Sequence, residues 1–205
     1  MKISGSLVLF NNSAVEYESA IESFLNGCDG ILYVVDNSTS PLDHDLFQHP
    51  RIRYVFNNTN LGFGAAHNRA IKHACNDSDL HLIINPDVSF CEKVISHLTD
   101  VMQKNSDIGI LMPRVNYPDG SLQRLCKLLP NPFYLLCRRF IPIKSILNRI
   151  NHRYELHDLP QDSLVDVPTI SGCFLFVRTE LLRIHGGFDE RYFMYLEDVD
   201  LVRRI

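Results

Sequence analysis

Three carboxylates fall within four residues at Glu197-Asp198-Val199-Asp200, directly after the aromatic run Tyr192-Phe193-Met194-Tyr195. A helix starting near Leu196 holds these acids in its first turn, where the helix dipole stabilises negative charge. A carboxylate fixed in that way can take the proton from a hydroxyl while its neighbour positions the nucleophile. The same spacing also suits a plain acidic helix start that pairs with Arg203 and Arg204 three or four residues on. A further acid, Asp87 in Asn85-Pro86-Asp87, follows a short apolar run. A lone aspartate there can hold Mg2+ or Mn2+ through one oxygen, with phosphates and waters completing the octahedron. Its competing role is a cap for a helix over 91–105, for which it lies several residues early.

Residues 60–68, Asn-Leu-Gly-Phe-Gly-Ala-Ala-His-Asn, contain two of the three glycines of a dinucleotide fingerprint. His67 stands in place of the third, and no acid follows in the usual strand context. Gly62 and Gly64 nonetheless open a helix, and a helix start with close backbone approach favours an anion. A structural turn is the alternative.

The elements that must position these groups are short apolar runs alternating with helix-length segments. Strands are expected at Leu7–Phe10, Ile31–Val35, Ile52–Phe56, His81–Ile84, Ile108–Met112 and Cys173–Val177. Helices are expected at about 13–27, 63–75 and 91–105, with Phe63, His67, Ala70 and Ile71 on one face of the second. The alternation predicts an α/β fold with a mostly parallel central sheet and flanking helices. Ligands of such sheets bind beyond the carboxyl ends of the strands. There the chain places Asn11-Asn12, Asp36-Asn37-Ser38, Asn57-Asn58-Thr59-Asn60 and Asn85-Pro86-Asp87. One such group is ordinary turn chemistry. Four on one rim point to a polar ligand such as a nucleotide or a sugar.

Composition narrows the classes further. The chain has 205 residues, 45% apolar and 21% charged, which describes an ordinary globular domain. With 20 basic and 24 acidic residues the net charge is −4, so the overall field does not draw it to nucleic acid. No apolar run approaches the length that spans a bilayer, and no basic-then-apolar leader opens the sequence. A cytoplasmic protein is the expectation. Its cysteines lack zinc-knuckle spacing and read as reduced thiols. Seven basic residues and no acidic one lie between Arg124 and Arg153, interleaved with apolar stretches. That pattern suits an anionic membrane surface or a solvated helical face.

The stretches LVLFNN, VVDNS, NNTNLGFGAAHNRAI, LIINPDV, MPRVNYPDGSLQR, SGCFLFVRTELLRIHGGFDERYFMY and EDVDLVRR run in order from residue 7 to residue 204. In this ordered set the chain resembles the family 2 inverting glycosyltransferases, and within them the bacterial rhamnosyltransferase-like branch. The resemblance implies the glycosyltransferase-A (nucleotide-diphospho-sugar transferase) fold. It also implies one catalytic domain over 1–205, lacking C-terminal helices that relatives carry.

The implied reaction moves a sugar, L-rhamnose being the branch's common choice, from a nucleoside diphosphate donor with inversion. The acceptor is a hydroxyl of a saccharide or lipid-linked molecule in the making of a cell-wall or O-antigen polysaccharide. By position, Phe10, Asn11, Asp36, Asn60, Gly62, Asn68 and Arg204 match the nucleotide-sugar site, with Asp36 at the base and Arg204 facing the diphosphate. Asp87 matches the last acid of the family's D-x-D, which binds a divalent metal (Mg2+ or Mn2+). Asn85 stands where many relatives carry the first acid and falls to the nucleotide sugar. Asp198 matches the catalytic base, with Glu197 beside it near the acceptor. Segment 124–153 is the expected peripheral contact with the inner membrane face.

Two other functions share parts of this pattern. One is a non-catalytic module of the same fold that holds a nucleotide sugar. The other is a sugar nucleotidyltransferase, disfavoured because residues 8–26 contain no glycine for a phosphate loop.

Overall fold

The computed structural model describes residues 1–132, 143–160 and 162–205. These fall into two compact units, residues 1–113 with 172–205, and residues 114–171.

The first unit is built on a six-stranded sheet of β1 (Ile3–Leu9), β2 (Ile31–Asp36), β3 (Ile52–Phe56), β4 (Leu80–Ile84), β5 (Ile110–Leu111) and β6 (Phe174–Arg178). The order is β3-β2-β1-β4-β6-β5. The first four are parallel neighbours, whereas β6 runs antiparallel to both β4 and β5. The helices are α1 (Ala14–Gly27), α2 (Phe63–Asp77) and α3 (Lys93–Lys104), with α5 (Thr179–His185) and α6 (Glu197–Arg204) after β6. The mostly parallel sheet predicted from strand–helix alternation is therefore the observed one.

Period-two alternation along β1 assigns the faces. Leu7 and Leu9 enter a core with Tyr17 and Phe24 of α1, Ile95, Leu98 and Met102 of α3, and Phe174 and Phe176 of β6. Val8 turns to the other face, against Val35 and the small residues Ala66 and Ala70 of α2. Alanine at these two positions lets the α2 backbone lie close to the sheet.

β1 starts four residues earlier than its apolar run suggested, because its polar residues are satisfied internally. Ser4 Oγ meets His81 Nδ1 at 2.7 Å and Ser78 Oγ at 2.8 Å. Ser6 Oγ meets His67 Nδ1 at 2.7 Å and His81 Nε2 at 2.9 Å. Gly5, between them, faces α1, where a Cβ would stand 2.6 Å from Phe24. β5, by contrast, is shorter than the expected 108–112. The Arg178 guanidinium takes the carbonyls of Met102, Asn105 and Ile108, so that stretch closes on a side chain instead of a longer ladder.

Among its described residues the second unit holds α4 (Lys144–Tyr154) and two isolated bridges, Asn116–Leu122 and Lys127–Thr169. Ile143 and Ile146 are exposed beside Lys144 at the start of α4. The expected membrane segment 124–153 falls here, but its middle, with Arg138 and Arg139, lies outside the described residues. Among the described residues no helix is long and apolar enough to cross a membrane.

Candidate active site

The carboxyl ends of β1 to β3 and the start of α2 form one hydrogen-bonded rim. Phe10 and Asn11, just past β1, are exposed, and Asn11 adopts φ 56° while its N–H donates to Ser38 Oγ at 2.7 Å. Asn37 is buried and ties three loops together. Its N–H bonds Leu9 O, and its side chain bonds Asn57 Nδ2 at 2.8 Å, Asn60 Oδ1 at 3.3 Å and Gly62 O at 3.2 Å. Gly62 caps α2 at φ 84°, and a Cβ there would collide with the Phe193 carbonyl. That carbonyl also accepts from Phe63 N–H at 3.2 Å. Glycine is required on both counts.

Asp36 is placed at this rim but turned inward. It has no exposed surface, and its carboxylate accepts from Ser38 N–H at 2.9 Å, Leu42 N–H at 3.0 Å and Tyr54 O–H at 2.5 Å. Burial pushes its pKa up, but hydrogen bonds from Ser38, Tyr54 and Leu42 outweigh that and hold it below the usual value. Burial and the same carboxylate push the Tyr54 hydroxyl well above its ordinary value.

The acids lie at the adjoining part of the same sheet edge. Asp87 is exposed two residues past half-buried Asn85, whose N–H donates to Cys173 O at 2.9 Å. One residue before Cys173, the Gly172 N–H donates to Asp198 Oδ2 at 2.9 Å. Val199 N–H donates to Asp198 Oδ1 at 2.8 Å. Phe174 at the start of β6 pairs with Ile84 at the end of β4, so Asp198 is anchored beside the strand end that carries Asp87. A Cβ on Gly172 would stand 3.1 Å from the Asp198 Cβ, a tight contact that glycine avoids. Glu197 is buried, and its Oε2 has no hydrogen-bond partner among the described residues. Burial raises its pKa, offset by its own backbone N–H and reinforced by the charge of Asp198.

As donors for a metal, Asp87 and Asn85 supply one carboxylate and one amide. Among the described residues no group of three His, Cys, Asp or Glu could hold an ion. Hard oxygen donors of this number fit Mg2+ or Mn2+ whose other positions belong to water and phosphate.

Asn68 and Arg204 are committed within the fold. The Asn68 amide accepts from Phe188 N–H at 2.9 Å and donates to Phe188 O at 2.9 Å and to Glu190 at 3.0 Å, clasping segment 187–190 to α2. Arg204 donates to Asp200 at 2.8 Å and to the carbonyls of His185 and Gly187 at 2.7 Å each. The acid–arginine pairing at helical spacing thus holds for Asp200, while Asp198 is left to Gly172.

Sequence reasoning gave no role to Asn37 or Gly172. Both lay in quoted motifs, but a tie between loops far apart in sequence leaves no spacing signal.

The family model described as "Glycosyl transferase family 2" matches residues 10–182. An N-acetylglucosaminyl-diphospho-decaprenol L-rhamnosyltransferase of Mycobacterium tuberculosis (strain CDC 1551 / Oshkosh) is 32% identical over 172 residues, covering 77% of this chain and 54% of that protein. Rhamnosyltransferase WbbL of Escherichia coli (strain K12) is 23% identical over 97% of this chain and 75% of its own. Among solved structures, S. aureus TarS 1-349 superposes with a TM-score of 0.62 at 16% identity, over 100% of this chain and 55% of that one. The mannosyltransferase PcManGT of Pyrobaculum calidifontis, solved with GDP-Man and Mn2+, gives 0.61 at 16% identity over 98% and 50%. The chain spans about half the length of the first of these relatives.

Proposed function

Since the chain belongs to glycosyl transferase family 2, we propose that it moves a sugar from a nucleoside diphosphate donor to a hydroxyl of a saccharide or lipid-linked acceptor, with inversion. The observation that carries this reading is the anchoring of Asp198 by two main-chain N–H groups at the sheet edge that bears Asp87.

Each Asp198 oxygen keeps a lone pair beyond its main-chain bond. One of them takes the proton of the acceptor hydroxyl as that oxygen attacks the anomeric carbon. The bond from the anomeric carbon to the diphosphate oxygen breaks, and the electron pair leaves with the nucleoside diphosphate. Phe10 and Asn11 face the nucleotide from the end of β1, and Glu197 stands beside the base on the acceptor side. Asp87 and Asn85 would hold a divalent ion, which neutralises charge on the departing diphosphate when bound. Held in line by these groups, donor and acceptor react without first losing translational freedom.

L-rhamnose is the proposed sugar, supported by the names of the M. tuberculosis and E. coli relatives. The first name also supports a lipid-linked acceptor. We place the protein in the cytoplasm, with a peripheral contact of 124–153 at the inner membrane face. The exposed Ile143 and Ile146 beside Lys144 support that contact. Sedimentation with anionic vesicles checks it, and equal recovery with neutral vesicles removes it.

The primary test is thermal stability with nucleoside diphosphates, with and without Mn2+. A ligand at 100 times its Kd adds about 2.7 kcal/mol. A metal-dependent shift with dTDP or UDP, lost in Asp87→Ala, is expected. No shift with any nucleotide overturns the reading.

A further inference from the structure

Helix α4 carries an apolar stripe that the second unit leaves largely uncovered. At 3.6 residues per turn, Ile143, Ile146, Leu147, Ile150 and Tyr154 fall within about 100° of the helix circumference. Only Tyr154, in the last turn, is buried. Ile143 and Ile146 are 53% and 45% exposed, and Leu147 and Ile150 are half-buried. The helix is also held at its last turn. There Tyr154 O accepts from Leu128 N–H at 2.9 Å, and His157 O, just beyond, accepts from the Arg124 guanidinium at 3.3 Å. The anchor is therefore at the C-terminal end, and the uncovered part of the stripe is the first two turns.

Cations border the stripe on both sides. Lys144 lies along one edge, Arg149 and Arg153 along the other, and all three are exposed. Ser145, Asn148 and His152 take the opposite face, and the helix holds no acidic residue. In this cross-section the basic side chains can lay their stems over apolar surface and carry their charges outward to water or phosphate.

Charge decides between the possible occupants of the stripe. Residues 114–171 carry 8 basic and 5 acidic side chains, whereas the rest of the chain carries 12 and 19. An anionic surface thus attracts this stretch while repelling the remainder, which selects one region for contact. A second copy of α4 would set cation against cation along both borders, with no acid on either helix to offset them.

Resting on the proposed peripheral contact, we infer that α4 is the element that makes it. The helix lies in the plane of an anionic leaflet, with Ile143, Ile146, Leu147 and Ile150 among the acyl chains and Lys144, Arg149 and Arg153 on the lipid phosphates.

The sequence contains no tryptophan, so a single introduced one reports its own surroundings. Ile146→Trp places it on the stripe and Asn148→Trp on the opposite face, both at exposed positions where the fold is not at stake. The full chain is mixed with vesicles of phosphatidylcholine, with or without phosphatidylglycerol. With the anionic vesicles, Ile146→Trp emission should move to shorter wavelength and be quenched by brominated acyl chains, while Asn148→Trp stays as in water. Replacing Lys144, Arg149 and Arg153 together by Gln should weaken binding to anionic vesicles about a hundredfold. Ile146→Glu should weaken it about tenfold or more.

Two tryptophans that respond alike overturn the inference, as does an equal response to neutral vesicles. Ile146→Trp emission that shifts with protein concentration alone identifies a second copy as the occupant, and also overturns it. A chain that sediments with anionic vesicles while both tryptophans stay silent makes its contact elsewhere, so α4 loses the role and the peripheral contact stands. A chain that sediments with no vesicle, yet binds a nucleoside diphosphate, ends both the inference and the peripheral contact and leaves the transferase reading intact.

Discussion

The two halves of the candidate site are built on opposite principles. In the rim, the left-handed positions are Asn11 at φ 56°, Asn58 at φ 54° and Gly62 at φ 84°. These residue types enter that region at little cost. In the turn before α6, they are Tyr195 at φ 70° and Leu196 at φ 69°. Those side chains cost roughly 1–2 kcal/mol each in that conformation. The rim is closed by amide hydrogen bonds around Asn37, whereas Glu197 Oε2, just past the turn, is buried with no partner among the described residues. It also exposes four apolar side chains in a row, Phe193 to Leu196. A closed rim suits binding without rearrangement. A strained turn beside Asp198, the proposed base, suits a part whose geometry changes when acceptor arrives.

The largest effect expected from this contrast is chemical. Asp198→Asn should slow sugar transfer by about 10^3-fold, within the span of general-base removal, and leave the Kd of the nucleoside diphosphate unchanged. Asn keeps one oxygen for Gly172 N–H but gives up the bond from Val199 N–H, so the link to Gly172 survives while the proton acceptor is lost. Steady-state rates beside calorimetry separate the two effects. A loss of nucleotide affinity equal to the loss of rate would mean that rim and turn are one site without division of labour.

Next in size is an acid lability confined to the underside of the rim. Ser78 Oγ–H donates to Ala74 O, so Ser4 donates to Ser78, His81 Nδ1–H to Ser4, Ser6 to His81 Nε2, and His67 Nδ1–H to Ser6. That sense is the one neutral imidazoles take, and burial keeps both neutral by lowering each pKa to about 3, with His81 adding to the effect on His67. Below pH 6.5 the unfolded chain takes up protons that the folded chain refuses, so stability falls as pH falls towards 3. At pH 5 the loss is about 2 kcal/mol for each imidazole. Urea unfolding at pH 7.5 and pH 5 measures it. His67→Gln, which keeps a donor to Ser6 and does not titrate, should remove about half of the drop. A chain equally stable at both pH values would show that the seam is hydrated.

Of similar or smaller size is Asn68→Ala. The change leaves Phe188 N–H and C=O unpaired beneath the acidic turn, for a loss of about 2 kcal/mol. The nucleotide Kd should hold, since the Asn68 amide points to segment 187–190 and away from the rim ladder. A weakened Kd, read by the same calorimetry, would join the two regions.

What was legible in the sequence follows the same division. Apolar runs alternating with helix-length segments gave the parallel sheet, because local pattern and sheet topology obey one rule. The polar strand ends gave the rim, and the acidic triplet gave the start of α6. Side-chain sense was not legible. Asp36, Asn68 and Arg204 were placed by position in a motif, yet each is held inward by partners 2 to 122 positions away along the chain. The start of β1 was missed for a related reason. Ser4 and Ser6 look like surface residues until His67 and His81 arrive from α2 and β4.

The smallest expected effect probes the strain itself. Leu196 is half exposed and caps α6 from the left-handed region, so little packing is lost on shortening it. Leu196→Gly relieves the side-chain penalty of about 1–2 kcal/mol but loosens the unfolded chain by about 0.5–1 kcal/mol. The difference predicts a gain of about 0.5–1 kcal/mol, a rise of a few degrees in melting temperature. Asn58→Gly in the rim should give no such gain, because asparagine already tolerates its φ of 54°. If the strain holds Asp198 in line, the stabilised Leu196→Gly chain should also turn over more slowly, with donor Kd unaltered. A chain that gains stability and keeps its full rate would show that the turn is strained without catalytic purpose. A chain that gains no stability would show that the αL pair costs nothing, and the contrast between the two halves would then rest on the amide ladder alone.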